Sequence, residues 1–186
     1  MLVLVLVLFL YTLGLRMATV IGERRRERLD HEWRSILAAS MLSADDARNL
    51  RLPACPRHQR VNLLEIWNRS RDTVQGSAAD NLIILGHRIG MVAFAKRLLA
   101  KHRVQSRILA VQTLGHMRHG ESWPAIVELL RDPHMALSIT AAAALADIDP
   151  GRAVNLLVPM IAQRRDWPRT RVSRMLRSVG SDLVSE

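Results

Sequence analysis

Residues 106–163 read SRILAVQTLGHMRHGESWPAIVELLRDPHMALSITAAAALADIDPGRAVNLLVPMIAQ, and this stretch decides the fold. A shift of 31 residues lays its apolar positions on one another: Ala110 on Ala141, Leu114 on Leu145, Met117 on Ile148, Ile126 on Leu157, Leu129 on Met160 and Leu130 on Ile161. Gly120 falls on Gly151, in what reads as the turn between two helices. A third, partial copy follows with Val172, Leu176 and Val179. With 49% of the chain hydrophobic, one coincidence means little, but agreement of the whole set at one offset marks a repeated helical hairpin.

The 186 residues suffice for one ordinary domain. Two Phe, four Trp and one Tyr are all its aromatics, and such aliphatic, Ala-rich material suits helices better than a β-sandwich. The single cysteine, Cys55, excludes an internal disulfide framework and a cysteine-based zinc site. The formal net charge of +10 predicts attraction to phosphates or acidic partners, without choosing among lipid headgroup, nucleic acid and protein.

Leu2 to Leu15 is uncharged and almost wholly apolar, and apolar character resumes after Arg16 through Ile21. As a helix, the stretch to Ile21 rises about 31 Å and matches a hydrocarbon core of about 30 Å; the part before Arg16 rises only about 21 Å. The alternation of Leu and Val resembles a strand, but a lone strand in lipid leaves its backbone unpaired, so a helix is expected. A cleaved signal peptide fits less well, because no cation precedes the apolar run and no small-x-small site follows it. A core helix of a soluble domain would carry a polar face. The block Glu23-Arg24-Arg25-Arg26-Glu27-Arg28 lies directly downstream. By the positive-inside rule the amino terminus is then outside and everything from Arg24 onward cytoplasmic. The expectation is an uncleaved single-pass anchor over 1–22 in the lipid of a cell inner membrane, with Arg16 snorkelling at a boundary. Residues 23–59 read as a juxtamembrane helix, striped by Leu29, Trp33, Ile36 and Leu37, and a connector. Trp33 is expected to pack on the first hairpin.

Leu52-Pro53-Ala54-Cys55-Pro56 breaks any helix, because proline removes donors and pushes the preceding residue towards extended geometry. Lipidation or redox chemistry would suit a loop cysteine, yet Cys55 has no nearby partner and reads as incidental. Val61, Leu63, Leu64, Ile66 and Trp67 mark an amphipathic helix over 60–69, and Thr73 to Gly76 a turn. A hairpin then pairs a helix around Leu82 to Ile89 with one from Met91 to His102. Leu98 and Leu99 stand 31 residues before Leu129 and Leu130, whereas Leu85-Gly86-His87 stands 29 before Leu114-Gly115-His116, as a turn two residues shorter would give.

Start signals for the later helices are Ser122 before Trp123-Pro124, Asp132-Pro133, Asp149-Pro150, and Asp166 before Trp167-Pro168. In each, a side-chain oxygen can accept from first-turn N–H groups where proline loses no bond. Pro159 falls inside a second helix and should bend it. The pattern Ala110-x3-Leu114-Gly115-x-Met117 recurs as Ala141-x3-Leu145-Ala146-x-Ile148 and Val172-x3-Leu176-Arg177-x-Val179, the first two followed by an apolar second helix. The chain thereby resembles the HEAT-repeat family in its short bacterial form, roughly from Arg60 to Gly180 and most closely from Val104. The resemblance implies an all-α, right-handed α-solenoid of helical hairpins over 60–186, a curved scaffold that binds other macromolecules. Arg177 stands where the family has a small residue. The last helix therefore reads as an end, either a frayed cap or an edge covered by a partner or a second copy.

Between Asp80 and Glu121 there is no acidic residue, while Arg88, Lys96, Arg97, Lys101, Arg103, Arg107 and Arg118 are positive. These form either a solvated outer face or a phosphate- or acid-binding surface. A second basic cluster, Arg164, Arg165, Arg169, Arg171, Arg174 and Arg177, surrounds Trp167, which either packs at a helix start or stacks at an interface. His87 and His116 occupy matching places and His119 follows, but no carboxylate or cysteine accompanies them at ligand spacing, so neither metal nor cofactor is expected. Deoxyhypusine hydroxylases, which are HEAT-like, carry repeated His-Glu pairs for iron; here such a pair, His31-Glu32, lies outside the repeats. No Ser-His-Asp spacing, glycine-rich phosphate loop or paired-carboxylate helix is visible.

The reading is a non-enzymatic adaptor, tethered by its anchor, that offers a basic surface to a protein partner, with another membrane protein as one candidate. Two other classes stay open. One is a nucleic-acid binder resembling the HEAT-like DNA glycosylases, against which the anchor argues. The other is a HEAT-like lyase, for which no specific residue speaks.

Overall fold

The computed structural model describes residues 31–164, 166–173 and 175. The expected anchor, with Leu2, Leu15 and Ile21, lies outside the described residues, as do Arg165, Arg174 and Arg177. Among the described residues every regular element is helical, and no helix is long and apolar enough to cross a membrane. Helix α1 covers 31–42 and is followed by α2 (Ala44–Asn49), α3 (Arg60–Asp72), α4 (Ser77–Ile89) and α5 (Met91–Leu99). Then come α6 (Val104–His116), α7 (Trp123–Leu129), α8 (Met135–Ile148) and α9 (Pro150–Gln163), with residues 169–173 again helical.

Local chemistry sets several of these ends. Ser43 accepts the Asp45 N–H at 3.1 Å and opens α2, and the prolines of 50–56 keep that segment out of any helix. Gly90, at φ 77°, donates to Gly86 and His87 carbonyls and ends α4 while starting α5, a left-handed position that favours glycine. The carboxyl end of α6 closes on Arg118 at φ 48°. The Arg118 and His119 N–H groups bond to the carbonyls of Gly115 and Leu114.

Of the expected start signals, Asp149 behaves as a cap, accepting the Arg152 N–H at 2.9 Å with Pro150 in the first turn. The other three do not. Asp132 receives the His134 N–H outside α8, the Ser122 hydroxyl lies against His119 Nδ1, and Asp166 binds Arg164. In each, a nearer partner takes the side-chain oxygen. Gly151 is already inside α9 because that cap starts the helix one residue earlier, whereas Gly120 begins a short 3₁₀ turn. Pro159 lies inside α9 on an exposed face.

Helices α6 and α8 make the most extensive helix-to-helix contact; α5 packs along α6, and α7 and α9 along α8. These stacked hairpins share one apolar cluster from Trp33 to Met175, with Leu64, Trp67, Leu82, Leu98, Leu114 and Leu145 almost sealed from water. A fully buried Leu is worth about 1.5–3 kcal/mol, so the shared interior holds the layers together. The repeat positions are buried as the offset requires at Ala110, Ala141, Leu114, Leu145, Ile126, Leu157, Leu129 and Leu130. Met160 and Ile161 in α9 are half-buried, as is Ile148 at the end of α8, the counterpart of the buried Met117. The earlier part is less regular: α6 packs on α3 more than on α4, and Trp67 ties those two together by donating to the Leu82 carbonyl at 3.1 Å. Trp33 is buried in the same cluster.

The tightest approach is at Gly115. A Cβ there would stand 2.6 Å from Ala144 Cα and 2.7 Å from its Cβ, so α6 and α8 touch backbone to backbone. Alanine normally stabilises a helix over glycine by roughly 1 kcal/mol. Here the sign reverses: Gly115→Ala is expected to destabilise by about 1–3 kcal/mol in urea denaturation. Gly120→Ala, whose Cβ meets nothing within 4 Å, should be neutral or stabilising by up to about 1 kcal/mol.

Candidate functional site

The two basic clusters meet through the turns that join successive hairpins. Arg107, in the first turn of α6, pairs with Asp132 at 3.3 Å, which holds the turn at 130–134 beside the one at 100–103. From the turn after α9, Arg164 donates through Nη1 to the Leu130 and Asp132 carbonyls, at 3.3 and 3.4 Å. Its Nη2 reaches Ser138 Oγ at 2.7 Å, and its Nε lies 2.9 Å from Asp166. The three turns are thereby linked along one edge. Asp132 and Asp166 are both occupied by these two arginines. Among the described residues, Lys101, Arg103, Arg131, Arg169 and Arg171 remain exposed there without an ion pair, with Glu128 an exposed acid on α7 nearby.

The other predicted cations are placed differently. Arg88 donates to the Ala47 and Leu50 carbonyls, both at 2.9 Å, and so closes the carboxyl end of α2. Lys96 pairs with Glu121 at 3.1 Å and Arg118 with Asp80 at 3.3 Å, surface pairs that solvent screens. Arg97 is exposed and lies over the Phe94 ring. Trp167 is packed at a helix start, buried and donating to Ser138 Oγ at 3.0 Å, with Arg164 over its ring. Separation along the chain hid these partners: the acids absent between Asp80 and Glu121 arrive from neighbouring layers.

His116 belongs to a polar seam where α3, α6 and α8 meet. Its Nδ1 lies 3.1 Å from Asn68 Oδ1, and its Nε2 lies 3.1 Å from Asp72 and 3.8 Å from Asp147. A neutral ring donates to one of these sides and a protonated ring to both. Asn68 in turn donates to Thr113 Oγ1 at 2.8 Å, and Gln112 to Asp72 at 3.0 Å. Burial pushes the Asp147 carboxyl above its usual range, with His116 and then Arg71 opposing. Burial also pushes the Arg71 guanidinium down, against Asp147, and its Nε finds no acceptor. The expectation that no carboxylate accompanies the histidines is thus corrected for His116. A signal for it was present, since the 31-residue shift lays Asp147 on His116. His87 is exposed and lies on the side of His119 rather than in this seam. Among the described residues, no group of three or more His, Cys, Asp or Glu side chains could hold a metal ion.

One nucleophile-base contact occurs at the other edge, where His119 Nδ1 lies 2.8 Å from Ser122 Oγ and Nε2 lies 3.6 Å from Glu121. Burial and then Lys96 push the His119 imidazole down, and Ser122 is 5% exposed. The contact orders the 3₁₀ turn.

Asn68→Ala leaves the Thr113 and His116 polar atoms without their partner and is expected to cost about 1–3 kcal/mol in denaturation. A carboxyl with a raised folded pKa favours the folded state while protonated; that contribution is present below the ordinary carboxylate value and lost as pH rises through the raised one. Relative to Asp147→Asn, the native chain should therefore lose stability as pH rises from about 4 in denaturation series.

A family model described as HEAT repeats matches residues 92–177. No curated protein and no solved structure matches the chain. HEAT repeats are generally a non-catalytic scaffold fold and mediate protein–protein interactions. The match falls on the layers that stack most regularly, and together they support a HEAT-repeat protein.

Proposed function

We propose that the chain is a non-catalytic scaffold whose linked hairpin turns dock an acidic segment of a protein partner. The carrying observation is the edge where Lys101, Arg103, Arg131, Arg169 and Arg171 lie exposed while Asp132 and Asp166 are taken up by Arg107 and Arg164. Internal neutralisation of the acids leaves an excess of positive charge facing water, which steers acidic partners and sets their register. Arg97, at the end of α5, extends this edge. The apolar stretch from Leu2 to Ile21, followed by Arg24 to Arg28, supports a single-pass tether. In this reading the repeats work on the cytoplasmic face of a bacterial inner membrane, with a membrane protein as the partner and the carboxyl-terminal end available to a second copy.

The test is crosslinking mass spectrometry in native membranes with the triple variant Lys101→Glu, Arg103→Glu and Arg131→Glu. Like charges brought together at an interface cost several kcal/mol, so capture of the partner should fall at least about tenfold. Arg118→Glu, on the opposite edge, should leave it unchanged. A partner captured equally by the triple variant contradicts the proposal. So does nonspecific duplex DNA binding that collapses steeply with salt, which would assign the edge to nucleic acid instead.

A further inference from the structure

The polar seam around His116 fixes the direction of its own hydrogen bonds. The Thr113 hydroxyl donates to the Leu109 carbonyl at 2.8 Å, so its lone pair accepts from Asn68 Nδ2, also at 2.8 Å. Asn68 thereby turns its oxygen, an acceptor, towards His116 Nδ1 at 3.1 Å. On the far side of the ring, Nε2 stands 3.1 Å from the Asp72 carboxylate and 3.8 Å from that of Asp147. Both nitrogens face acceptors, and only a ring that carries two protons donates to both. A ring with one proton fits Asn68 and Asp72 together only if the amide reverses and the Thr113 hydroxyl leaves Leu109. Even then its single Nε2 proton serves one carboxylate and leaves the other without a donor.

The charges lead to the same proton count. Arg71 and Asp72 come from α3 and Asp147 from α8, while Arg118, just past α6, is paired with Asp80 of α4 at 3.3 Å. Among the described residues, two carboxylates against the Arg71 guanidinium leave the seam one positive charge short, and a charged His116, a residue 8% exposed, makes up the difference. We propose that His116 is a proton-operated joint: charged, it draws α3 and α8 together across the end of α6, and on giving up a proton it releases α3 to open locally from the stack. Helix α3 is the element that yields. The α6–α8 pair touches backbone to backbone at Gly115 and Ala144, whereas α6 packs less extensively on α3 than on α5 or α8. The raised Asp147 carboxyl acts in the same sense, since its proton is also lost as pH rises. The cationic turns take no part, and the joint does not rest on the docking proposal.

The test is hydrogen exchange read by mass on the full chain across the histidine range, from about pH 5.5 to about pH 8, corrected for the pH dependence of exchange itself. Protection of Arg60–Asp72 should fall about tenfold towards the higher pH, the loss of one hydrogen bond to a charged group, while that of α8 holds. The midpoint should coincide with the titration of the His116 ring nitrogens in nitrogen-15 spectra. His116→Gln, which keeps a hydrogen-bonding side chain that does not titrate, should abolish the pH dependence. Asp72→Asn, at an exposed residue, should reduce it and carries the test if His116→Gln fails to fold. Equal α3 protection at both ends of the range overturns the proposal, as does a fall shared equally by α8. So does a fall that persists in His116→Gln, which would assign the proton to Asp147 instead, or one undiminished in Asp72→Asn.

Discussion

The repeats depend on two helices being allowed to touch. Where Gly115 meets Ala144 there is no room for a side chain on α6, and α8 answers with the run Ala141 to Ala144. Backbones that approach this closely bring the flanking Leu114 and Leu145 into one interior, which no single hairpin can build alone. From that contact follow the packing of α5 on α6 and of α7 and α9 on α8. Gly86 repeats the device one layer earlier, but against the flexible thioether of Met117 and the Trp67 ring, neighbours that can give way more than backbone can.

Charge is organised on top of this scaffold in two ways. Some arginines serve the fold: Arg88 finishes α2, and Arg164 clamps one inter-hairpin turn to the next. Others carry unpaired charge to solvent, and Arg107 and Arg164 strengthen that display by occupying the two acids beside it. Counting cations in the sequence does not separate these roles, because burial and partner identity come from the stacking. The +10 net charge of the chain is therefore not spread evenly in effect: one edge has its cations matched, and the other does not.

Much of the architecture was legible because a repeat writes the same packing problem more than once. The 31-residue offset located the buried positions of α6 and α8, and the prolines of Leu52 to Pro56 located the break between α2 and α3. What stayed hidden involves partners far apart in sequence. Asp72 reaches His116 only because α3 lies beside α6, and the adoption of that neighbour in place of α4 leaves no periodic trace. Ser122 does precede α7, but neither it nor Asp132 or Asp166 caps a helix with its side chain. A capping oxygen has several suitors: tertiary structure brings Arg107 to Asp132, while His119 and Arg164 are local neighbours that take Ser122 and Asp166.

The most direct measurement is a nuclear Overhauser contact between the α-protons of Gly115 and the methyl group of Ala144 in the isotope-labelled chain. Hairpins stacked through α6 and α8 require a strong cross-peak between these two residues, together with contacts from Leu114 to α8. Assigned resonances that show no such cross-peak, or that connect Gly115 to a different helix, would contradict the shared interior from which the edge, the seam and the packing all follow.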